Sequence, residues 1–409
     1  MFTNNYPYGT GEAFIENEIL ISSSIYEKIY IYVMNKQNDK VNMRTVPENV
    51  EIISIRNLGK FQKFFWAFVH ALSGIFSGDL LCEWKKCKAF CEYKKSLSFY
   101  LASKERYVQI KNCDIKPKGI RVDLYCYWFL ESVYVAGLMK QRILPDSVLI
   151  TRAHRYDLYA EKTSYGYFPF RKQMLEHVDR VCPCSIDGEK YLKNQYPDVA
   201  KKICYSYLGT KDVLTQLKEP NKDSLVIVTC SNIIPVKRVI RVAETLSMLE
   251  CEGIKDKIEW YCFGDGGLRG ELEQYCNKNL RNIRTFFMGQ TANEDILKFY
   301  NRQNVDLFIN VSESEGLPVS IMEAASFGIP TIATDVGGSS EIVIDGVNGF
   351  LISKNFTNED LKNIITKYIS LSHEQKINLK ENARKHWEKN FSADNNYPQF
   401  FQQYDELSE

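Results

Sequence analysis

Short apolar runs and amphipathic stretches alternate along the second half of the chain. The apolar runs span four to seven residues and are rich in β-branched and aromatic side chains, which predicts strands over Leu225–Thr229, Ile258–Phe263, Ile283–Met288, Val305–Val311 and Thr331–Thr334. Apolar residues at three- and four-residue spacing predict helices over Val239–Leu249, Leu268–Asn277, Glu294–Asn301 and Val319–Phe327. Strands that alternate with helices are typical of a parallel sheet covered by helices, so we expect a Rossmann-like unit.

The first half shows a similar but less regular alternation. It predicts helices over Glu12–Ser23 and Asp187–Asn194, a helical insertion around 60–107, and strands near Ile29–Val33, Val50–Ile55, Asp123–Tyr127, Ser147–Arg152, Arg180–Ser185 and Ile203–Tyr207. Gly, Pro and charged residues replace the periodic pattern near Gly209–Lys222 and predict a domain boundary there. We therefore expect an N-terminal domain over 1–210, a C-terminal domain over 211–387, and a tail over 388–409 that forms a helix and returns to the first domain.

Composition excludes a disordered chain and gives no reason to expect nucleic-acid binding. The 409 residues are 44% hydrophobic and 25% charged, and the formal net charge is +1. The charge is unevenly divided, because residues 1–208 hold 30 Lys and Arg against 22 Asp and Glu, and residues 209–409 hold 22 against 29. A basic half suits an anionic surface or a phosphorylated partner, although charge drift between two similar halves explains the asymmetry equally well.

One apolar segment is a candidate for membrane contact. No run reaches the roughly 18–20 apolar residues that span a bilayer. Phe64–Phe76 is the longest candidate, and its flanking lysines are Lys60, Lys63, Lys85, Lys86, Lys88, Lys94 and Lys95. Residues 60–95 therefore predict either peripheral contact with a membrane interface or a half-buried core helix. The twelve cysteines follow no secretory signal and match no zinc spacing, so we expect reduced thiols in a cytoplasmic protein at the inner face of the membrane.

The segment Ser314–Val343 carries the clearest chemistry. A predicted strand leads into a turn with Gly316 and then into a helix that begins near Pro318, where proline suits the first helical turn. Amides at such a helix start bind phosphate, and this turn lies at the carboxyl end of a strand, where ligands bind in open α/β sheets. Glu315 and Glu323 are placed to accept hydrogen bonds from ribose and sugar hydroxyls.

This segment resembles the E-x7-E signature of the family-4 retaining glycosyltransferases of the GT-B fold. Further segments match the family in order and spacing: SNIIPVKRVIRV (231–242), FGDGGLRGEL (263–272), FMGQ (287–290) and VDLFINVSESEG (305–316). In the first half, YPYGTGEAFIENEI (7–20), YCYW (125–128) and TRAHRYDLY (151–159) resemble the variant found in bacterial surface-polysaccharide enzymes. The resemblance implies an α/β protein of GT-B architecture, with two Rossmann-like domains facing a cleft.

The resemblance implies a donor site in the second domain. Lys237 would pair with the donor diphosphate with help from Arg238, Glu323 would bind the ribose, and Glu315 would contact the transferred sugar. The other implied donor contacts are the amides of Gly316 and Leu317, the backbone at Gly264 and Gly266, and the edge formed by Gly289 and Gln290. Many relatives carry an arginine where this chain has Asn232, so one diphosphate contact differs.

The first domain would complete the site. Gly9 and Gly11 precede a helix whose start would approach a phosphate, and His154 would face the reacting centre. The implied acceptor contacts are Arg152, Arg155, Asp157 and Trp128. The apolar strand that precedes the YPYG turn in relatives is reduced here to Met1–Asn5.

The implied reaction is transfer of a sugar, with retention, from a nucleotide diphosphate to a hydroxyl of a lipid-linked glycan acceptor in bacterial surface polysaccharide synthesis. No cofactor is implied, since the nucleotide-sugar is a co-substrate. No Asp-x-Asp occurs in the sequence, so we expect no metal, with Lys237 in its place. Two alternatives stay open: a nucleotide-sugar epimerase of the same architecture and a non-catalytic nucleotide-sugar-binding subunit of an assembly complex.

Overall fold

The computed structural model describes most of the chain. It covers residues 1–9, 12, 14–35, 43–54, 60–111, 113, 119–163, 166–221, 224–253 and 257–408, with the backbone alone described over 60–65. Gly11, the last residue of the predicted strand Val50–Ile55 and Lys222 at the predicted boundary lie outside the described residues, as do the side chains of Lys60, Lys63 and Phe64.

The chain folds into two compact units. Unit 1 contains Met1–Ser206 and Tyr397–Glu409, and unit 2 contains Tyr207–Asn396. The tail packs with unit 1 because Tyr404 donates a hydrogen bond of 3.0 Å to the carbonyl of Leu124 and the ring of Phe400 lies 5.1 Å from that of Tyr125.

Unit 1 is built on a six-stranded sheet in which every pair is parallel. Its strands are β1 (Phe2–Thr3), β2 (Ile29–Val33), β3 (Val50–Ser54), β4 (Asp123–Cys126), β5 (Val148–Ala153) and β6 (Arg180–Pro183). Its helices are α1 (Ile15–Ile25), α2 (Lys60–Phe76), α3 (Asp79–Trp84), α4 (Phe90–Lys111), α5 (Glu131–Arg142), α6 (Arg155–Leu158), α7 (Arg171–His177) and α8 (Ile186–Gln195). The strand order is β3-β2-β1-β4-β5-β6.

Unit 2 repeats this architecture with longer central strands. Its strands are β7 (Ser224–Cys230), β8 (Lys257–Phe263), β9 (Arg284–Gly289), β10 (Leu307–Asn310), β11 (Thr331–Thr334) and β12 (Gly349–Ile352), in the parallel order β12-β11-β10-β7-β8-β9. Its helices are α9 (Val239–Cys251), α10 (Arg269–Asn279), α11 (Asn293–Arg302), α12 (Val319–Ser326), α13 (Ser339–Ile342), α14 (Asn358–Ser370) and α15 (His373–Asn390). The last helix of the chain, α16, spans Ala393–Glu406.

The expected α/β class and the Rossmann-like pattern of both halves are confirmed. The predicted strand over Ile203–Tyr207 is wrong, since only a single bridge joins Ile203 to Val181. The run follows a 3-10 turn over Pro197–Lys202, and Cys204 and Ser206 continue to donate to carbonyls of the β6 segment without forming a ladder. Nor does α4 stop at 107, because it continues to Lys111.

Parallel strands lie in the interior of each unit, which accounts for their continuous apolar runs. All six residues of β5 are buried, and so are all four residues of β10 and of β11. In the described part of the chain, no helix combines the length and the hydropathy needed to cross a membrane.

Candidate functional site

The candidate site in unit 2 lies where the strand order reverses. After β7 the chain adds strands on one side, β8 and β9, and it then returns to place β10 on the other side of β7. The loops that follow β7 and β10 therefore diverge at the carboxyl edge of the sheet, which is the position at which open α/β sheets bind ligands. These loops, over 231–238 and 311–318, carry Lys237 and Glu315.

Lys237 and Glu315 form an ion pair across these two loops. The Lys237 Nζ atom lies 2.6 Å from Oε1 of Glu315, which also accepts a hydrogen bond of 3.3 Å from Asn310 Nδ2. Only 8% of the Glu315 side chain is exposed, against 23% of Lys237. A mostly buried carboxylate of this kind requires a cation beside it, so each side chain holds the other at the carboxyl edge of the sheet.

Glu323 lies in the second turn of α12, the helix that follows the Glu315 loop. Its Oε1 accepts a hydrogen bond of 2.7 Å from Asn293 at the start of α11. Burial raises the pKa of Glu323 from 4.5 to about 7, and the Asn293 hydrogen bond lowers it in part. A carboxyl with this pKa is divided between its charged and neutral forms near neutral pH.

Cys230 is the last residue of β7, and the charges of both Glu323 and Lys237 influence the pKa of its thiol. The pKa of the Cys230 thiol is raised to about 12, chiefly by burial; the charge of Glu323 contributes to the rise, and the charge of Lys237 opposes it. Both charged side chains therefore act on the same sulfur at the end of β7. Our sequence analysis singled out neither Cys230 nor Asn293, and their only signal was their place at the end of β7 and at the first residue of α11.

Glycines allow the loops of this site to pack closely. Gly337 has φ of +54°, and a Cβ atom there would lie 2.2 Å from the carbonyl oxygen of Glu315. The next amide, that of Gly338, donates a hydrogen bond of 2.6 Å to Gly316. The GG pair after β11 therefore holds the backbone that carries Glu315.

Gly264 and Gly266 make close approaches within the protein. A Cβ atom on Gly264 would lie 1.9 Å from the carbonyl oxygen of Ser231, and one on Gly266 would lie 2.5 Å from that of Ile233. We expected these glycines to admit a nucleotide, but the backbone that approaches them is the loop after β7. Their small size is needed to pack that loop against the end of β8.

Arg238, which we expected to assist Lys237 at the diphosphate, makes three contacts within the protein. Its guanidinium donates to the carbonyls of Val311, Lys354 and Ser312 at 2.7, 2.9 and 3.1 Å, and it lies 5.0 Å from the ring centre of Phe356. Burial lowers its pKa. Arg238 therefore holds the loop after β7 to the loop after β10, because these carbonyls satisfy three of its five N–H donors.

The remaining predicted donor contacts lie at the same edge of the sheet. Among the described residues, no hydrogen bond satisfies the amides of Gly316 and Leu317, which precede α12. Gly289 ends β9 and is buried, and Gln290 follows it and is exposed. The geometry thus brings Lys237 and Glu315 together, with Glu323 on the helix that follows Glu315, and places the other predicted contacts in neighbouring loops.

In unit 1, His154 lies in an aromatic cluster that follows β4 and β5. Its ring stacks on Tyr127 with 4.7 Å between ring centres and an interplanar angle of 20°, and Trp128 lies at 4.7 Å on a tilted plane. Neither ring nitrogen has a hydrogen-bond partner among the described residues, although only 11% of the side chain is exposed. Buried polar atoms without partners are rare, and such atoms mark either a catalytic position or one that water satisfies.

Glu12 holds the turn that contains Gly9, and our sequence analysis did not identify it. Its carboxylate is buried, accepts hydrogen bonds from the amides of Asn4, Asn5 and Tyr6, and accepts another from the indole of Trp128. Those amides are therefore satisfied within the protein. The signal that we overlooked was an acidic residue near the start of a predicted helix, directly after a glycine-containing turn.

Arg152 and Asp157 are not surface residues, contrary to their predicted role as acceptor contacts. Arg152 is fully buried in β5, where its Nε lies 3.4 Å from Glu18 and its guanidinium lies 3.9 Å from the ring centre of Phe400. Asp157 is also fully buried and accepts from the amides of Phe129 and His154 at 2.6 and 2.5 Å. These two side chains hold β5 and its following loop in place.

For Trp128 and Arg155, the role of acceptor contact stays a prediction. Trp128 packs beside His154, and Arg155 lines a cavity of about 400 Å³ in unit 1. In the described part of the chain, no group of three or more His, Cys, Asp or Glu side chains could hold a metal ion.

Comparison with known proteins identifies the domain that carries the unit 2 site. Residues 211–386 match the family described as Glycosyl transferases group 1. The chain therefore contains a glycosyl transferases group 1 domain. This domain lies within unit 2 and carries Lys237, Glu315 and Glu323, whereas His154 lies outside the match.

Similar proteins extend the comparison beyond the group 1 domain. The uncharacterized glycosyltransferase MJ1178 of Methanocaldococcus jannaschii is 28% identical over 298 residues, which cover 72% of this chain and 78% of that protein. The lipopolysaccharide outer core galactosyltransferase WaaB in its apo form has a TM-score of 0.67 at 15% identity, over 98% of this chain and 97% of that chain. Anabaena Alr3699/HepE in complex with UDP has a TM-score of 0.65 at 14% identity, over 99% of both chains. These structural likenesses confirm the GT-B fold.

Proposed function

We propose that this protein transfers a sugar from a nucleotide diphosphate donor to a hydroxyl group of a glycan acceptor, with retention of the anomeric configuration and without a metal ion. One observation carries the proposal: the ion pair between Lys237 and Glu315 at the reversal of the unit 2 sheet, with Glu323 on the helix that follows Glu315. A cation and two carboxylates match the pyrophosphate and the hydroxyl groups of a nucleotide-sugar.

When the donor binds, its contacts with Lys237 and Glu315 would replace the ion pair between these two side chains. The pyrophosphate forms an ion pair with Lys237, and the amides of Gly316 and Leu317 provide further hydrogen-bond donors to its oxygens. Glu315 then accepts hydrogen bonds from sugar hydroxyls, and Glu323 in its ionised form accepts from the ribose. Anabaena Alr3699/HepE, which shares the fold, has been solved in complex with UDP, and this supports a nucleotide donor.

In the proposed reaction the bond between the anomeric carbon and the diphosphate oxygen breaks. The acceptor oxygen bonds to the same face of the anomeric carbon, and its proton passes to the departing phosphate oxygen. The positive charge of Lys237 stabilises the negative charge that develops on the leaving group, which is the electrostatic role that a metal ion fills in other transferases. No enzyme nucleophile is required.

We further propose a lipid-linked glycan acceptor in surface polysaccharide synthesis, met at the inner face of the cytoplasmic membrane. The fold is shared with a lipopolysaccharide outer core galactosyltransferase, and this supports an acceptor of that kind. Residues 60–95 would provide peripheral contact with the membrane. Phe76 is 86% exposed and Phe90 is 74% exposed, and the neighbouring lysines that favour an anionic surface are Lys85, Lys86, Lys88 and Lys94.

A transfer assay with purified protein tests the proposal. UDP-, GDP-, ADP- and dTDP-sugars are screened by thermal shift, since a ligand that binds only the folded state raises its stability. The donor that binds is then incubated with lipid-linked acceptor in EDTA, and the product is examined by NMR for its anomeric configuration. Activity that disappears in EDTA and returns with Mn²⁺ would contradict metal independence. Isomerisation of the donor without acceptor would indicate an epimerase, and binding without turnover would indicate a non-catalytic subunit.

A further inference from the structure

Unit 1 contains a cavity of about 400 Å³ that the proposed donor site does not use. It lies at the carboxyl ends of β4 and β5, and its walls include α4, the start of α5 and residues of the segments 155–163 and 168–174. Cavities of about 300–1,000 Å³ are typical of small-molecule sites. The described residues that line it belong to unit 1.

The charge of the cavity is positive. Among the described residues that line it, Lys95, Arg155 and Lys162 are cations and Glu131 is the one carboxylate. Glu131 is itself 3.9 Å from Arg106, which offsets part of its charge. Burial lowers the pKa of Lys95, and the charge of Glu131 raises it in part, so this cation is held partly away from water. An excess of cations in a recess favours an anionic ligand.

The wall of the cavity is aromatic. Phe99, Phe129 and Phe168 line it. Behind this wall, the Arg171 guanidinium lies 3.8 Å from the ring centre of Phe129 and 4.2 Å from that of Phe168. Arg171 is buried, and its Nη1 has no hydrogen-bond partner among the described residues. The cavity therefore combines apolar rings with a fourth positive charge close to them.

Helix α4 joins the cavity to the exposed apolar and basic surface of residues 60–95. Lys95 and Phe99 line the cavity, whereas Phe90 and Lys94 lie near the start of the same helix and are exposed. The Lys94 Nζ atom lies 4.7 Å from the ring centre of Phe90. A ligand that enters along α4 therefore meets apolar rings and ammonium groups both outside and inside the cavity.

From this arrangement we propose that the cavity binds a phosphorylated amphiphile, with its phosphate groups at Lys95, Arg155 and Lys162 and its apolar chain along Phe99, Phe129 and Phe168. The inference rests on the proposed function, since such a ligand is the lipid-phosphate part of a lipid-linked acceptor. It adds the residues that distinguish that acceptor from a free sugar.

Binding of farnesyl diphosphate to the full chain, measured by calorimetry without any nucleotide-sugar, tests the proposal. We expect binding that is at least about tenfold weaker for farnesol, which lacks the phosphates, and for pyrophosphate, which lacks the chain. Lys162→Gln should weaken farnesyl diphosphate binding by about tenfold, because an exposed cation is lost without disturbing the core. Lys28→Gln is the matched control. Lys28 precedes β2, so it lies at the amino ends of the strands, away from the cavity at their carboxyl ends, and it pairs with Glu51.

Several results would overturn the inference. These are equal binding of farnesyl diphosphate by the wild type and Lys162→Gln, equal binding of pyrophosphate and farnesyl diphosphate, and displacement of farnesyl diphosphate by saturating UDP. Vesicles of phosphatidylcholine with phosphatidylglycerol distinguish two sources of the ligand. If Lys162→Gln also weakens vesicle binding, the ligand is a bilayer phospholipid, and if it does not, the ligand is an isoprenoid phosphate.

The outcome is separable from that of the proposed function. Glu315→Gln should abolish sugar transfer and leave farnesyl diphosphate binding unchanged. Transfer that proceeds equally well in Lys162→Gln, with no binding of farnesyl diphosphate, would overturn the cavity assignment alone. Binding that depends on Lys162 in a protein without transfer activity would overturn the proposed function alone.

Discussion

At the scale of single residues, the candidate donor site is a set of side chains whose charges depend on one another. Lys237 neutralises the charge of the mostly buried Glu315. Glu323 raises the pKa of the Cys230 thiol, and Lys237 lowers it. Removing one charge therefore changes both folding stability and ligand binding, and a single variant cannot separate the two effects.

A double variant separates catalysis from stability at Lys237. Lys237→Met leaves Glu315 without its cation, so we expect the free energy of unfolding to fall by roughly 1–3 kcal/mol and turnover to fall by about 100-fold or more. Adding Glu315→Gln removes the uncompensated charge, which should restore much of the stability and none of the activity. Urea denaturation and a transfer assay measure the two effects. Recovery of activity in the double variant would contradict the role of Lys237.

Glu323 should make stability depend on pH. Its pKa in the folded protein is about 7, raised by burial from 4.5, so between these values the folded state holds more protons than the unfolded chain. The contribution of Glu323 to the free energy of unfolding therefore falls as pH rises from about 4.5 to about 7 and stays low above that. We expect Glu323→Gln to be more stable relative to the wild type at pH 8 than at pH 5, as measured by urea denaturation. Glu294→Gln, on the exposed side of α11, is the control, and a pH-independent difference for Glu323→Gln would contradict the prediction.

At the scale of elements, packing between loops and strands decides which polar residues reach a ligand. Arg238 and Gly337 hold the loops that carry Lys237 and Glu315. In unit 1, the alternation of β5 turns Arg152 toward Glu18, whereas Arg155 lies beyond the strand end and lines the cavity. Arginines three residues apart thus have different roles.

Gly337→Ala should destabilise unit 2 through a steric clash. Its Cβ would lie 2.2 Å from the Glu315 carbonyl oxygen, in addition to the strain of a positive φ. Gly346→Ala is the matched control, because Gly346 has φ of +72° and nothing within 4 Å of an added Cβ. We expect Gly346→Ala to cost about 1 kcal/mol and Gly337→Ala to cost more, in urea denaturation. Equal costs would show that the Glu315 loop moves freely away from Gly337.

Arg152→Ala should mainly lower stability, whereas Arg155→Ala should mainly raise the KM for the acceptor. Arg152→Ala leaves the buried Glu18 without its cation and should lower the free energy of unfolding by about 3–5 kcal/mol. Arg155→Ala should change stability little and raise KM for a lipid-linked acceptor. Denaturation and steady-state kinetics test the pair. An acceptor KM that rises only in Arg152→Ala would restore the role that the resemblance implied for it.

At the scale of the whole molecule, the chain is two units of one architecture with different chemistry on each. Unit 2 carries the group 1 domain and the acidic and basic side chains of the candidate donor site. Unit 1 carries the His154 cluster, the positive cavity and the exposed surface of residues 60–95. The excess of positive charge in residues 1–208 is consistent with this division.

Membrane association should depend on the exposed phenylalanines of unit 1. Phe76→Ser removes a large apolar side chain from the surface without opening the core, so sedimentation with vesicles of phosphatidylcholine and phosphatidylglycerol should weaken by about tenfold. Ile120→Ser is the matched control, because Ile120 is 62% exposed in unit 1 and lies outside residues 60–95. Equal loss in both variants, or binding that does not require phosphatidylglycerol, would contradict the predicted contact.

The sequence by itself determined the α/β class and most strand positions in unit 2, and it singled out Glu315, Glu323 and Lys237, whose roles stay predictions. Buried parallel strands and amphipathic helices leave periodic patterns that depend on neighbours close in sequence, and the resemblance supplied the motif residues. The same reasoning wrongly predicted a strand over Ile203–Tyr207, where only one bridge, between Ile203 and Val181, forms in the described chain.

Only the tertiary structure decided which polar residues are available to a ligand. Arg152, Asp157 and Arg238 occur in the expected motifs, yet each bonds to partners distant in sequence or within its own loop. The roles of Glu12, Asn293 and the cations of the unit 1 cavity arise from contacts between separate elements, which their local sequence signals do not specify. The burial of a polar side chain and the partners that it bonds to depend on the whole packed chain, and the local sequence pattern specifies neither.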